Sequence, residues 1–161
     1  MMIQWVESCS GISEFKTLIT PAGYLQLIIR QDVICQAEWD LKSDKTQFID
    51  EYQPLIQRLN TIFVVKLLKQ GTPFRQLVWS RLCNIPYGTT ISYSALAAKI
   101  GSSARAVGNA CRDNPYPFLI PCHRVVSVSG LGGYCGQTSG ELILIKTKLL
   151  MAEANSIYDQ S

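Results

Sequence analysis

The stretch ISYSALAAKIGSSARAVGNAC, residues 91–111, carries the most informative local signal for the fold. Ser92 can cap a helix that ends at Gly101, because a serine side chain accepts hydrogen bonds from the first turn and glycine readily follows a helix end. Ser102 or Ser103 can cap a second helix directly afterwards. Two short helices with a tight glycine-containing connection predict a helix-turn-helix, although any two-helix hairpin has this spacing.

A further helix and a break in the pattern precede this stretch. Thr72 can cap a helix that has Pro73 at its first position. The apolar residues predicted to share one side of that helix are Phe74, Leu77, Val78 and Leu82. We place a domain boundary at the break, which predicts one domain over residues 1–70 and a mostly helical one over residues 71–161.

The N-terminal part has the pattern of a sheet followed by a helix. Over residues 5–40, apolar and polar residues alternate on both sides of a Pro/Gly turn, which predicts antiparallel strands. Residues 46–60 have the three-to-four spacing of a helix, and residues 62–68 fit either a short strand or a continuation of that helix. The expected fold class is α/β of the α+β kind, with an N-terminal antiparallel sheet plus helix and a C-terminal helix-turn-helix.

Length and composition exclude several classes of protein. At 161 residues, with 47% hydrophobic and 17% charged residues, the chain has room for one ordinary domain or two small ones and is not generally disordered. Its longest apolar runs fall far short of the roughly 18 residues that a membrane span needs. The first ten residues lack the basic and apolar regions of a secretory signal. We therefore expect a cytoplasmic protein, or a nuclear one in a eukaryote, with no membrane partner.

Six cysteines and one histidine bear on metal binding and on disulfides. The cysteines form no CxxC pair, and His123 is the only histidine, so the ligand cluster of a typical zinc site is missing. A site made of four scattered cysteines stays open. In a reducing compartment disulfides are disfavoured. We expect no metal and no cofactor.

The net charge of +3 is unevenly distributed. Residues 1–71 carry a net charge of −1, and residues 72–161 carry +4. The excess of arginine and lysine in the second half fits contact with phosphates, and on charge alone it fits a solvated basic face equally well.

Cys122 and His123 are the strongest candidates for chemistry. A short apolar run, residues 118–120, ends directly before the Pro-Cys-His-Arg-Val block. A free cysteine is most often a small core residue. However, a thiol with a pKa near 8.5 needs a nearby base or cation to become a thiolate at neutral pH, and histidine is the residue that commonly acts as this base. Neighbouring residues in a strand point to opposite faces, so a direct bond between this pair requires a turn or a bridging water.

A third group should orient the histidine, as in catalytic triads. The acidic candidates are Asp113, Glu141, Glu153 and Asp159. Glu153 follows residues 142–152, whose apolar residues have helical spacing, so a helix can carry it rigidly. A polar helix end is the plainer interpretation of the same residue.

Six blocks in the second half of the chain resemble those of a known family. They read GTPFRQLVW, IPYGTTISYSALA, ARAVGNA, NPYPFLIPCHRVV, SGLGGY and KxxLLxxE, and they span residues 71–153. In this order they are similar to the methylated-DNA–protein-cysteine methyltransferases, the O6-alkylguanine-DNA alkyltransferases. The N-terminal part resembles the family only in its type of domain, a sheet plus a helix, and not in its sequence blocks.

The resemblance implies a direct-reversal DNA repair protein that reacts once. Cys122 would take the alkyl group from O6 of guanine, and O4-methylthymine is a further candidate substrate. His123 would act as a base through a water, Glu153 would hold the histidine tautomer, and Asn114 would brace the turn that carries Cys122.

The resemblance also implies a DNA-binding surface and an alkyl pocket. Double-stranded DNA would bind to a monomer through the minor groove, independently of sequence, with the target base flipped out. Arg105 would fill the gap in the duplex and Tyr93 would push on the phosphate, and the implied DNA-binding residues are Tyr93, Ser94, Arg105 and Ala106. The implied pocket residues are Tyr93, Pro117, Val125, Tyr134, Cys135 and Gly136. The Tyr93 hydroxyl and a backbone N–H of residues 134–136 would neutralise charge on O6.

Two related functions compete with alkyl transfer. Alkyltransferase-like lesion sensors hold the damaged base without reacting, but they lack the cysteine that stands here at position 122. Methylation-responsive transcription activators carry an additional zinc-binding domain, for which 161 residues leave no room.

Overall fold

The computed structural model describes residues 2–42 and 64–158. The chain divides into two compact units, Met1–Gln70 and Gly71–Ser161. The helix predicted over residues 46–60 lies outside the described residues. Within them, none of the helices combines the length and the hydropathy that crossing a bilayer takes.

The N-terminal unit contains a five-stranded sheet. Its strands are β1 (Met2–Val6), β2 (Glu14–Thr20), β3 (Gly23–Arg30), β4 (Val33–Asp40) and β5 (Val64–Leu68), in the spatial order β1-β5-β4-β3-β2. The predicted antiparallel pairing is confirmed for β2, β3 and β4. The sheet is nevertheless mixed, because β5 pairs in parallel with both β1 and β4. Residues 41–63 are long enough for the crossover that a parallel pair needs.

The C-terminal unit is mostly helical. Its helices are α1 (Pro73–Cys83), α2 (Tyr93–Lys99), α3 (Ala104–Arg112) and α4 (Glu141–Tyr158). A 3-10 turn, Cys122–Arg124, leads into the short strand β7 (Val125–Val126), which pairs in parallel with β6 (Ile91–Ser92). With the sheet of the N-terminal unit, this gives the predicted α+β class.

The predicted helix caps are present in the C-terminal unit. The side chains of Thr72 and Ser92 accept backbone hydrogen bonds from the third residue after each, at 3.3 and 3.1 Å. Ser103, rather than Ser102, caps α3 by accepting the Ala106 N–H at 3.2 Å. Both helices of the helix-turn-helix therefore begin where a serine side chain accepts a free N–H group of the first turn.

The buried side of α1 differs from the prediction at one position. Leu77 is 41% exposed, whereas Val78, Trp79 and Leu82 are buried. The Trp79 indole N–H donates to the carbonyl of Ala110 on α3 at 2.8 Å. A buried indole needs such an acceptor, and the buried side of α1 therefore includes Trp79, which the apolar spacing did not predict.

Candidate active site

Asn114 holds the segment that carries Cys122. Its Nδ2 donates to the carbonyl of Ile120 at 3.0 Å and to the Sγ of Cys122 at 3.2 Å. Its Oδ1 accepts the backbone N–H of Tyr116 at 3.0 Å. The buried amide of Asn114 therefore holds the segment 116–120 at both of its ends and also contacts the Cys122 thiol.

The 3-10 turn at Cys122–Arg124 separates the neighbouring side chains of Cys122 and His123. The Sγ of Cys122 accepts a hydrogen bond from Asn114 and lies in the same cavity wall as Cys135. The Nε2 of His123 lies 2.7 Å from Oε1 of Glu153, and its Nδ1 is buried without a hydrogen-bond partner among the described residues. A turn is present at this pair, but the Cys122 and His123 side chains are bonded to different partners and not to each other.

Glu153 is the acid that reaches the histidine. Its carboxylate accepts hydrogen bonds from Arg124 Nε and Nη2, both at 2.9 Å, and from the Gly88 backbone N–H at 2.9 Å. Burial alone would raise the pKa of Glu153, but these bonds and the one to His123 outweigh it and lower the pKa to about 2. Glu153 is therefore ionised at neutral pH.

The ionised carboxylate determines the tautomer of His123. Burial lowers the pKa of His123, so the imidazole is neutral at pH 7. A neutral ring facing a carboxylate carries its proton on the nitrogen that faces it, here Nε2. Nδ1 is then the nitrogen with the free lone pair.

The other acidic candidates lie elsewhere or outside the described residues. Asp113 pairs with Arg75 and with Arg112. Glu141 begins α4 and is exposed. Asp159 lies beyond the last described residue.

A cavity of about 230 Å³ opens beside Cys122. Five of the expected residues line it: Tyr93, Cys122, Tyr134, Cys135 and Gly136. Pro117 and Val125, which the resemblance implies for the alkyl pocket, are buried and are not among the residues that line this cavity. Residues of α3 line it as well, among them Gly108, Cys111 and Arg112.

The thiol of Cys122 has a lowered pKa. A hydrogen bond from Cys135 contributes most, and a second from Asn114 and the charge of Lys146 add to it, against the opposite effect of burial. Burial raises the pKa of Tyr93, so its hydroxyl keeps its proton; it donates to the carbonyl of Gly133 at 3.2 Å. The cavity thus holds a thiol with a lowered pKa and a protonated phenol.

Lys146 belongs to the site, although no role for it was predicted from the sequence. It is fully buried on α4, and its Nζ donates to the carbonyls of Val125, Leu131 and Gly133 at 2.7, 2.8 and 2.9 Å. Burial lowers its pKa to about 8, so it is mostly charged at neutral pH. A lysine at helical spacing among the apolar residues of α4 was the signal that could have found it.

The helix pair presents a second, more open cavity of about 290 Å³. Its walls are Tyr93, Ser94, Ala104, Gly108, Ser127 and Val128. Tyr93 and Gly108 line both cavities. Arg105 is exposed and Ala106 is half-buried at the start of α3. Among the described residues, no group of three His, Cys, Asp or Glu could hold a metal ion.

Comparison with known proteins agrees with this architecture. The DNA-binding domain of 6-O-methylguanine DNA methyltransferase matches residues 73–155. A methylated-DNA–protein-cysteine methyltransferase of Mycobacterium bovis is 33% identical over 90% of this chain and 98% of its own. A constitutive one of Bacillus subtilis is 48% identical over 46% of this chain and 47% of its own.

Two solved structures are similar over most of the chain. The crystal structure of Mycobacterium tuberculosis O6-methylguanine methyltransferase has a TM-score of 0.69 at 33% identity and covers 89% of this chain and 94% of its own. That of Mycobacterium tuberculosis OGT in complex with DNA has a TM-score of 0.67 at 35% identity, covering 88% and 92%. The chain belongs to the 6-O-methylguanine DNA methyltransferase family.

Proposed function

We propose that this protein repairs DNA by moving the alkyl group from O6 of an alkylated guanine to Sγ of its own Cys122, once per molecule. Family membership supports the reaction, and one observation carries the residue assignment. Cys122 lines a cavity, with a lowered thiol pKa, next to a histidine whose tautomer a buried carboxylate determines. Residues 71–161 would hold the whole reaction site.

The first step is loss of the Cys122 proton. His123 is neutral, and Nδ1 has the free lone pair, so this nitrogen is the base. A water between the two side chains would relay the proton, because Cys122 and His123 are bonded to different partners. Glu153 acts as a positioning residue: it keeps the proton on Nε2 and stabilises the imidazolium that forms.

The second step is displacement at the alkyl carbon. The Sγ–C bond forms while the C–O6 bond breaks, and the electron pair of the broken bond goes to guanine, which gains a proton and is restored. Donors near O6 stabilise the charge on the departing base. We assign this role to the Tyr93 hydroxyl, which would turn from the Gly133 carbonyl to the base, and to the backbone N–H of Cys135 or Gly136, because that of Tyr134 donates to Gln137. O4-methylthymine would react by the same displacement.

The reaction ends with the protein consumed. A thioether has no good leaving group, so neither water nor His123 can readily regenerate the Cys122 thiol. Because the reaction requires a free thiol, we also propose that the protein works in a reducing compartment such as the cytoplasm.

DNA would bind across the helix pair as a duplex, to a monomer and through the minor groove. The small side chains of Ala104, Ala106 and Gly108 allow close approach of the DNA backbone, and the basic second half of the chain would neutralise phosphates without reading sequence. Because Tyr93 lines both cavities, it can contact a phosphate outside and the extruded base inside. Arg105, exposed on α3, would fill the space that the base leaves.

Mass spectrometry after reaction with O6-methylguanine duplex DNA tests the proposal. The peptide that contains Cys122 should gain one methyl group per protein molecule, and Cys122→Ala should leave the lesion in place. Cys83→Ala, which removes an exposed thiol of α1, is the matched control and should react normally. Repair by Cys122→Ala, or a methyl group on another residue, would contradict the assignment. Binding without transfer by the unaltered protein would favour a lesion sensor.

A further inference from the structure

Two thiols meet at the inner cavity. Cys122 and Cys135 both line it, and each thiol is the largest single influence on the pKa of the other. Alkyl transfer as proposed above uses the Cys122 thiol and only the backbone near Cys135, so the second thiol has no part in that reaction.

We propose that Cys122 and Cys135 form a reversible disulfide when the protein meets a hydroperoxide, and that this disulfide protects the nucleophile in an inactive form. The loss of activity rests on the proposed function, since it presupposes that Cys122 is the alkyl acceptor. Formation of the disulfide does not depend on that function.

The backbone around Cys135 places its side chain at the cavity. Tyr134 and Gln137 exchange two backbone hydrogen bonds, 2.8 and 2.9 Å long, which close a tight turn around Cys135 and Gly136. Cys135 has a φ of +46°, the left-handed conformation, which is strained for a residue with a Cβ. The turn thus holds the Cys135 side chain in the wall of the cavity that Cys122 also lines.

A third thiol at the cavity is less suited to pair with Cys122. Cys111 lines the same cavity, but it lies inside α3, where it is buried and its backbone is held by the helix. A disulfide requires a narrow range of Cα separations and Cβ directions, and the turn can adjust to these more easily than the helix. The geometry therefore favours Cys135 over Cys111 as the partner.

The chemistry needs one hydroperoxide molecule per disulfide. The Cys122 thiolate attacks the terminal peroxide oxygen, so that an S–O bond forms, the O–O bond breaks and a sulfenic acid results; the alkoxide or hydroxide that leaves takes up the proton that Cys122 lost. Cys135 then attacks that sulfur: the S–S bond forms, the S–O bond breaks, and water leaves with the Cys135 proton. Two thiols are oxidised and the peroxide is reduced. Without Cys135, the sulfenic acid stays open to irreversible oxidation to sulfinic and sulfonic acids.

Tryptic digestion separates the three thiols of the cavity. Cleavage after Arg105, Arg112, Arg124 and Lys146 leaves Cys111, Cys122 and Cys135 on peptides 106–112, 113–124 and 125–146. It also separates them from Cys9 and Cys35, whose sulfurs lie 3.0 Å apart in the N-terminal unit and would form a distinct crosslink.

The experiment treats the full chain with hydrogen peroxide and maps it without reduction. Peptides 113–124 and 125–146 should be joined, with the loss of two hydrogens, in step with the loss of methyl transfer. Dithiothreitol should restore transfer to its starting level. Cys83→Ser should behave like the unaltered protein. In Cys135→Ser and Cys135→Ala, Cys122 should instead reach sulfinic or sulfonic acid, a mass readout that does not depend on how fast these variants transfer.

A disulfide between peptides 113–124 and 106–112, which would join Cys122 to Cys111, would overturn the proposal. So would irreversible oxidation of Cys122 in the unaltered protein to the same extent as in the Cys135 variants. A Cys122 that peroxide leaves unmodified would overturn it as well. A failure of alkyl transfer would be seen separately, in the untreated protein, as a peptide 113–124 that gains no methyl group.

Discussion

His123 Nε2 lies 2.7 Å from Glu153 Oε1, and both side chains are almost wholly buried. The same carboxylate binds Arg124 and the backbone N–H of Gly88. One side chain of α4 therefore ties together the turn that carries the nucleophile and the loop before β6. Because the contacts are shared, changes at Glu153 affect reactivity and stability together.

Replacing Glu153 by glutamine should slow alkyl transfer by about 100-fold, since a positioned base contributes at least this much and the amide does not hold the tautomer. Single-turnover transfer from O6-methylguanine duplex measures the effect. Glu141→Gln, at the exposed start of the same helix, is the control and should react at the normal rate. A Glu153→Gln variant that reacts as fast as this control would exclude the positioning role.

Stability should fall in acid in two stages. In the folded protein the pKa of His123 is lowered from 6.5, and that of Glu153 is lowered from 4.5 to about 2. At both residues the unfolded chain binds more protons, so the free energy of unfolding decreases as the pH falls below 6.5, and again between 4.5 and 2. The Glu153 shift corresponds to about 3 kcal/mol.

Urea unfolding at pH 7, 5 and 3 measures this dependence. Glu153→Gln should be less stable than the unaltered protein at pH 7 and should show a weaker decrease below pH 4.5. Equal slopes for the two proteins in that range would show that Glu153 is not the titrating group.

Lys146→Met should destabilise the protein by about 3 kcal/mol, because three buried carbonyls lose their donor and each unsatisfied group costs about 1–3 kcal/mol unless water reaches it. Urea unfolding measures the loss. Lys148→Met, an exposed position of the same helix, should change stability little. Similar effects of the two substitutions would mean that the three hydrogen bonds do not stabilise the fold.

Arg105→Ala should reduce repair of duplex DNA by about 10-fold or more, since the space left by the flipped base is no longer filled and the unstacking cost stays uncompensated. Reaction with free O6-benzylguanine, which needs no flipping, should be unchanged. Arg81→Ala removes an exposed charge from α1 and is the comparison for a purely electrostatic loss. If Arg105→Ala slows both substrates equally, Arg105 has no role in flipping.

Features that depend on neighbouring residues were predictable. The caps at Thr72 and Ser92 follow from the residue type and the first turn after it. The Cys122–His123 pair stands out because it contains the only histidine, and the sequence limits the acid that could orient this histidine to four candidates, Glu153 among them. Such signals are short-range, so the chain carries them in its order of residues.

Contacts between distant residues could not be predicted in the same way. Three such features depend on how separate elements pack: the shared cavity of Cys122 and Cys135, the three carbonyls around Lys146, and the parallel pairing of β5. The wall of the cavity likewise comes from α3 rather than from Pro117 and Val125.

The sequence by itself determined where the helices of the C-terminal unit begin and which cysteine and histidine are the candidates for chemistry, because capping and motif chemistry act over a few residues. Only the tertiary structure decided which acid meets His123 and which thiol meets Cys122, because residues 30 and 13 positions apart come together through packing.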